Sequence, residues 1–390
     1  MPRQIADAQC AVQERRSARP PLPVLTSLRF FAAAEVVAFH MSTSAGGKAV
    51  ADGLLKDLAS GGFAAVTFFF VLSGFILSYA HAGRRESDGC DVRAGTFWRL
   101  RFARIAPAYY LGLLLALPFV GYQLDGIAAV GESRFVGPVL VILFLQAWWP
   151  RFAMLWNFPA WSLSVEWLFY ASFPYLARAL GRVPRTTLFT ATYALIVAAT
   201  ICRSEFLSSP NFTLPEGRLD LRFQAYFPLL HLPLFIFGIA LGRLFVFGPR
   251  IAPRMHSAML WLGLCILFLL FGGARLLPWW TRSDAVLALV FALVIFGGAG
   301  ARTNVPLLTR PGFLLLGEAS YAMYILHIPI RFWWEIGREA IGIELPNWLD
   351  FALYFCAVVA VSILVFRHVE TPLRRRIGKQ KPPVMPGVVV

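Results

Sequence analysis

Three stretches of otherwise apolar sequence carry side chains able to do proton-transfer and anion chemistry. The first holds Arg29, Glu35 and His40; the second opens Trp161, Ser162, Leu163, Ser164, Val165, Glu166 and reaches Tyr170; the third holds Ser320, Tyr321, Tyr324 and His327. In a helix, the eleven residues from Arg29 to His40 make three turns, so the two share a face and lie about 16 Å apart. Glu35 falls on another face. Ser162, Glu166 and Tyr170 line up at i, i+4, i+8, and Ser320, Tyr324 and His327 at i, i+4, i+7. A neutral imidazole with a reference pKa of about 6.5 is suited to take a proton from a hydroxyl. An arginine on the same face is suited to hold an anionic part of the same substrate.

Other chemistries find less support. Ser73 and Ser162 stand in notable motifs, but neither lies in G-x-S-x-G and neither has a base partner visible in the sequence, so a covalent serine mechanism is disfavoured. H-E-x-x-H is absent and the six histidines are scattered, which predicts no metal site. There is no phosphate-cradling or dinucleotide glycine pattern. Cys10, Cys90, Cys202, Cys265 and Cys356 form no C-x-x-C pair, so neither a disulfide nor a metal cluster is expected. Arg99, Arg331 and Glu35 read as structural.

The elements that must position these residues are membrane helices. The chain is 58% hydrophobic and 15% charged over 390 residues, with a mean hydropathy of +0.64. Soluble domains are about 45–50% apolar. Apolar stretches of roughly 17–25 residues, each long enough to cross a hydrocarbon core, recur along the chain. They cover approximately 25–44, 62–81, 105–121, 136–149, 163–179, 187–202, 228–247, 257–273, 283–300, 312–332 and 349–366.

Lys and Arg are retained on the cytoplasmic side, which sets the orientation. If 136–149 crossed fully, Arg178, Arg182 and Arg185 would lie outside and every later loop would carry the wrong bias. A re-entrant 136–149 restores the bias throughout, leaving about ten crossings with both termini cytoplasmic. The expected organisation is a cytoplasmic tail over 1–24, a membrane domain over 25–376 and a second tail over 377–390. The net charge of +15 is then mainly a topology signal, and nucleic acid is not an expected partner. On this map His40, Glu166 and His327 reach a similar level in the outer half, while Arg29, Arg101 and Arg104 lie towards the cytoplasm.

The motifs also carry a resemblance. LTSLRFFAAAEVVAFH at 25–40, FFFVLSGFILS at 68–78, RLRFARIAPAYY at 99–110, WSLSVEWLFY at 161–170, GEASYAMYILHIPI at 317–330 and HVETP at 368–372 resemble, in that order, the elements of the acyltransferase 3 family of integral-membrane O-acyltransferases. Glu35 departs from that pattern, where an uncharged residue is expected.

The resemblance implies transfer of an acyl group, most often acetyl, from cytoplasmic acyl-CoA to a hydroxyl of a polysaccharide, lipid-linked glycan or glycosylated metabolite, in the cytoplasmic (inner) membrane. It places His40 as general base, with Arg29 and Glu166 in the catalytic set. Arg101 and Arg104 then bind the coenzyme A phosphates, and Trp161, Ser320, Tyr324 and His327 meet the substrates. Acyl-CoA serves as co-substrate and no metal is needed.

A proton-coupled transporter or flippase of glycans or amphiphiles is the rival expectation, because buried Arg, Glu and His residues also serve transport. The lack of an inverted repeat counts against it. A lipid-linked glycosyltransferase would need a larger outer loop than 203–227.

Overall fold

The computed structural model describes residues 19–43, 57–83, 92–129, 133–208, 218–274, 276–301, 305–342 and 344–378. The N-terminal residues 1–18 and the stretch 379–390, assigned above to tails, lie outside them. All regular secondary structure among the described residues is helical: α1 Pro23–Thr43, α2 Gly62–His81, α3 Ala94–Ala129, α4 Val136–Ile142, α5 Trp161–Leu180, α6 Arg185–Cys202, α7 Ser204–Ser208, α8 Leu219–Tyr226, α9 Pro228–Phe247, α10 Pro253–Gly272, α11 Asp284–Gly300, α12 Pro311–Ile341, α13 Asn347–Val365 and α14 Thr371–Gly378. Proline opens α9, α10 and α12, where its missing N–H costs nothing. Gly342, with φ +69°, closes α12 in a left-handed cap.

Eight helical stretches are long and apolar enough to cross a membrane. The chain is thus an all-α polytopic membrane protein. Each expected crossing falls on a helix, but two of those helices stand outside the eight. α11 has 17 residues; α5 has 20 and carries Ser162, Ser164, Glu166 and Arg178.

The segment 136–149 contains the seven-residue α4 and a 3₁₀ turn at Gln146–Trp148; α4 is about 10 Å long at 1.5 Å per residue, too short to cross. Between α4 and α5 the backbone is irregular apart from short 3₁₀ turns at Gln146–Trp148 and Phe158–Ala160, with Phe144 and Trp156 at positive φ. Irregular backbone at membrane depth must be satisfied by protein groups. Tyr109 Oη donates to the Val141 carbonyl at 2.6 Å, Gln146 Nε2 to that of Ala160 at 2.8 Å and Asn157 Nδ2 to that of Ile325 at 2.9 Å. Gln123 Oε1 accepts from the Trp156 amide at 2.6 Å.

The motif glycines mark places where helix backbones meet. A Cβ on Gly74, within VLSGF, would lie 2.0 Å from the Phe235 carbonyl oxygen, and one on Gly238 would lie 2.1 Å from that of Val71. α2 and α9 therefore touch backbone to backbone, the use of small residues common between membrane helices. Gly317 does the same for α12 against Thr26 of α1. Gly238→Val is expected to separate α2 from α9 at a cost of about 3 kcal/mol, measured as a lower midpoint of thermal unfolding in detergent. An unchanged midpoint would show that the close approach contributes nothing.

Residues 19–22, expected to belong to a loose tail, instead pack on the body. Leu22 is buried, the Arg19 guanidinium lies 5.6 Å from the centre of the Tyr79 ring, and Tyr79 Oη donates to the Pro20 carbonyl at 2.9 Å. One aromatic side chain supplies both the cation-π surface and the hydrogen bond.

Candidate active site

A cavity of about 540 Å³ lies among α1, α2, α3, α5, α12 and α14. Arg29, Arg101, Arg104 and Arg374 line it, together with Glu166, Ser320, Tyr324 and Ser162. α12 orders its residues: Gly317 meets Thr26 near the start of α1, Tyr324 is about 10 Å further along, and His327, which is not among the lining residues, about 4.5 Å beyond that. The arginines thus occupy the side near the start of α1. Ser162 and Tyr324 occupy the side towards His327.

The arginines are arranged for an anion. Among the described residues, Arg29 and Arg104 make no hydrogen bond and no ion pair, although each is within electrostatic reach of Glu166, Glu318 and Glu370. Arg101 rests on the rings of Phe97 and Tyr170, at 5.4 and 5.9 Å, with its Nε buried and unpartnered. Guanidinium groups with unspent donors in a partly dry cleft suit phosphate.

Glu370 lies on a π-helical turn, Phe366–Glu370, where α13 meets α14. It is 1% exposed, and neither carboxylate oxygen has a hydrogen-bond partner among the described residues. Sequence reasoning missed Glu318, Glu370 and Arg374 as neighbours of the site. Glu370 was visible as the acidic residue of HVETP, but only the turn carries it inwards.

Beyond Tyr324 stand two histidines from opposite ends of the chain. His327 Nε2 is 3.3 Å from His40 Nδ1, with ring centres 5.0 Å apart. Their tautomers follow from their partners. His327 Nδ1 is 2.7 Å from the Tyr324 carbonyl, which only accepts, so Nδ1 carries the hydrogen and Nε2 the lone pair. His40 Nδ1 is then 2.9 Å from one acceptor, the Val36 carbonyl, and 3.3 Å from another, His327 Nε2. It too carries the hydrogen, which leaves the basic lone pair of neutral His40 on Nε2. Arg331, read as structural, donates from one terminal nitrogen to the His40 carbonyl at 3.0 Å and from Nε to Glu335 at 2.7 Å. Tyr354 Oη donates to the His327 carbonyl at 2.8 Å.

Not every expected site residue joins this group. Glu166, expected level with the histidines, accepts a short hydrogen bond from Tyr170 and faces the arginines. The reason is the meeting of α5 and α12: Ser162 lies 2.7 Å from Tyr324, and a turn further along α5 leads back towards Arg101. Trp161 does not line the main cavity. One residue from Ser162 it is turned about 100° away, and it packs against Tyr226 and His231 with ring centres at 4.9 and 5.4 Å. Ser320 lines the cavity but donates to the Gly317 carbonyl at 2.7 Å. Glu35 accepts from the Gly61 amide at 2.8 Å, anchoring the start of α2 in keeping with a structural role.

A second buried polar group went unnoticed in the sequence. Arg203 forms a short ion pair with Asp284 and donates from Nε to the Gln224 carbonyl at 2.7 Å, and Thr67 donates to Asp284 at 2.8 Å. Among the described residues no group of three or more His, Cys, Asp or Glu is arranged to hold a metal ion.

Known proteins give this geometry its context. The acyltransferase 3 profile, described as an acyltransferase domain, matches residues 23–367. Acyltransferase MdmB of Streptomyces mycarofaciens is 31% identical over 380 residues, 93% of this chain and 94% of its own length. Peptidoglycan O-acetyltransferase OatA of Listeria monocytogenes is 25% identical over 169 residues, 41% of this chain and 24% of its own length. No solved structure matches the chain. A profile covering most of the residues, from the start of α1 to the last turn before Glu370, makes this chain a member of the acyltransferase 3 family and a multi-pass membrane acyltransferase.

Proposed function

We propose that the protein moves an acyl group, with acetyl as the working case, from cytoplasmic acyl-CoA to a hydroxyl of a sugar-containing acceptor. It does so in the cytoplasmic (inner) membrane, with both termini in the cytoplasm. The observation that carries this reading is the cavity itself, which arginines with unspent donors line together with a pair of hydroxyls; the histidine pair is not among its lining residues and stands one turn of α12 beyond Tyr324. A relative named for peptidoglycan O-acetylation supports an oxygen nucleophile and a glycan acceptor.

Arg101, Arg104 and Arg29 hold the phosphates through charge-assisted bonds, and the pantetheine arm extends along α1 towards His40. Glu166 fixes Tyr170 beneath Arg101. His40 Nε2 takes the acceptor proton as the hydroxyl oxygen attacks the thioester carbon, then returns it to the departing thiolate. The products are an ester and free coenzyme A. His327 holds the Nδ1–H tautomer of His40, and Ser320 and Tyr324 belong to the walls around the substrates.

The test is label transfer from radiolabelled acetyl-CoA to an envelope extract by purified protein in nanodiscs. Labelled glycan is the expected product. Arg104→Ala is expected to raise the donor KM on the order of 10- to 100-fold, the loss of a hydrogen bond to a charged group, with a smaller change in kcat. Failure of the wild type to bind or consume acyl-CoA, with net movement of unmodified glycan across a sealed bilayer, would make the protein a transporter instead.

A further inference from the structure

Acyl transfer builds negative charge on the thioester oxygen, and the reading above assigns no group to receive it. The side of the cavity nearest the histidines holds two hydroxyls in an unusual relation. Ser162 Oγ and Tyr324 Oη are 2.7 Å apart, and both lie within reach of one acceptor, the Pro159 carbonyl, at 3.0 and 3.2 Å. Both side chains are buried, at 5% and 7% exposure, and both line the cavity.

Two O–H donors share one carbonyl. The serine contact is local, three residues back along the turn that opens α5, and it is the shorter of the two. In the resting arrangement Ser162 therefore donates to Pro159, and Tyr324 donates to Ser162 Oγ. The tyrosine proton is the only one of the pair not committed to a backbone acceptor. It can be redirected to an incoming carbonyl oxygen without leaving a buried backbone group unsatisfied. A phenol is also the more acidic hydroxyl, and so the stronger donor to a developing oxyanion.

We propose that Tyr324 is the oxyanion donor of the transfer step, with Ser162 as the residue that positions it. The proposal rests on the acyl-CoA reading. As the acceptor oxygen bonds to the thioester carbon, the carbonyl π pair moves onto oxygen, where it meets the Tyr324 O–H. His40 Nε2 holds the acceptor proton meanwhile. When the carbonyl re-forms, the carbon–sulfur bond breaks and the thiolate takes that proton. Tyr324 keeps its own throughout, so it acts by hydrogen bonding alone. Its place one turn before His327 on α12 puts the oxyanion donor on the same rigid helix as the residue that contacts the base, His40 of α1.

The experiment compares wild type, Tyr324→Phe and Ser162→Ala in nanodiscs, measuring kcat and donor KM with acetyl-CoA and binding of S-ethyl-CoA, a thioether lacking the carbonyl oxygen. Tyr324→Phe is expected to lower kcat about 10²- to 10³-fold while donor KM and S-ethyl-CoA affinity stay within about threefold of wild type. Ser162→Ala is expected to fall between the two, because the phenol keeps its proton but loses its holder. A kcat for well-folded Tyr324→Phe within about threefold of wild type overturns the proposal.

If that variant does not fold, fluorotyrosines of graded acidity at position 324 replace it. A kcat that follows phenol acidity at constant KM supports the oxyanion role, and a kcat indifferent to it overturns that role in favour of simple packing. Wild-type protein that neither binds nor consumes acetyl-CoA overturns both this assignment and the acyl-CoA reading. Normal wild-type turnover with an unaffected Tyr324→Phe overturns this assignment alone.

Discussion

His40→Ala is expected to bind acyl-CoA normally and to transfer acyl groups roughly 10²- to 10⁴-fold more slowly than wild type, the range associated with losing a positioned general base. The expectation follows from where the hydrogens must be. Both partners of His40 Nδ1 are acceptors, so the nitrogen able to take a proton is Nε2. The substitution removes that nitrogen together with the ring's contacts to His327 and Phe39. Arg331 grips the backbone carbonyl of residue 40 and not the imidazole, so the tie between α1 and α12 persists in the variant. Of the arginines proposed to hold the phosphates, Arg29 lies about three helical turns away along α1, and Arg101 and Arg104 stand on another helix, α3.

Donor KM is therefore expected to change little while kcat collapses, and wild-type kcat/KM should fall as pH is lowered and the imidazole is protonated. Single-turnover kinetics with labelled acetyl-CoA measure the chemical step directly. Full transfer by a correctly folded His40→Ala protein would remove the histidine from the mechanism.

Asp284→Ala is expected to be the most destabilising single change outside the site, at roughly 3–5 kcal/mol. Arg203 and Asp284 expose 3% and 9% of their side chains. Deleting the acid leaves a guanidinium in a dry interior with the Gln224 carbonyl and the Phe206 ring as its remaining described partners, and leaves Thr67 Oγ1 the longer contact with the Phe63 carbonyl in place of the carboxylate. The three residues tie the end of α6 to α2 and to the first turn of α11, so the loss should appear as a large drop in thermal midpoint.

Replacing both members, Arg203→Met with Asp284→Leu, is expected to recover most of that loss, because an uncompensated buried charge costs more than a missing ion pair. A destabilisation of Asp284→Ala below about 1 kcal/mol would mean that water reaches the pair.

Much of the protein was legible in its residues because a bilayer imposes a simple rule: backbone groups must bond within a helix, and helices must be long and apolar. That rule located the candidate spans, and the Lys and Arg bias of the connections marked 136–149 as the one that does not cross. The 3.6-residue period placed Arg29 and His40 on one face, and Ser320, Tyr324 and His327 on another.

Periodicity sets a face within one helix but not the rotation or sliding of that helix against its neighbours. Those are set by backbone contacts such as Gly317 on Thr26 and Gly238 on Val71. Tertiary packing therefore decided that His327 meets His40 and that Ser162 meets Tyr324. It also sent Glu166 to the arginines, turned Trp161 towards His231, and brought Glu370 and Arg374 in from the far end of the chain.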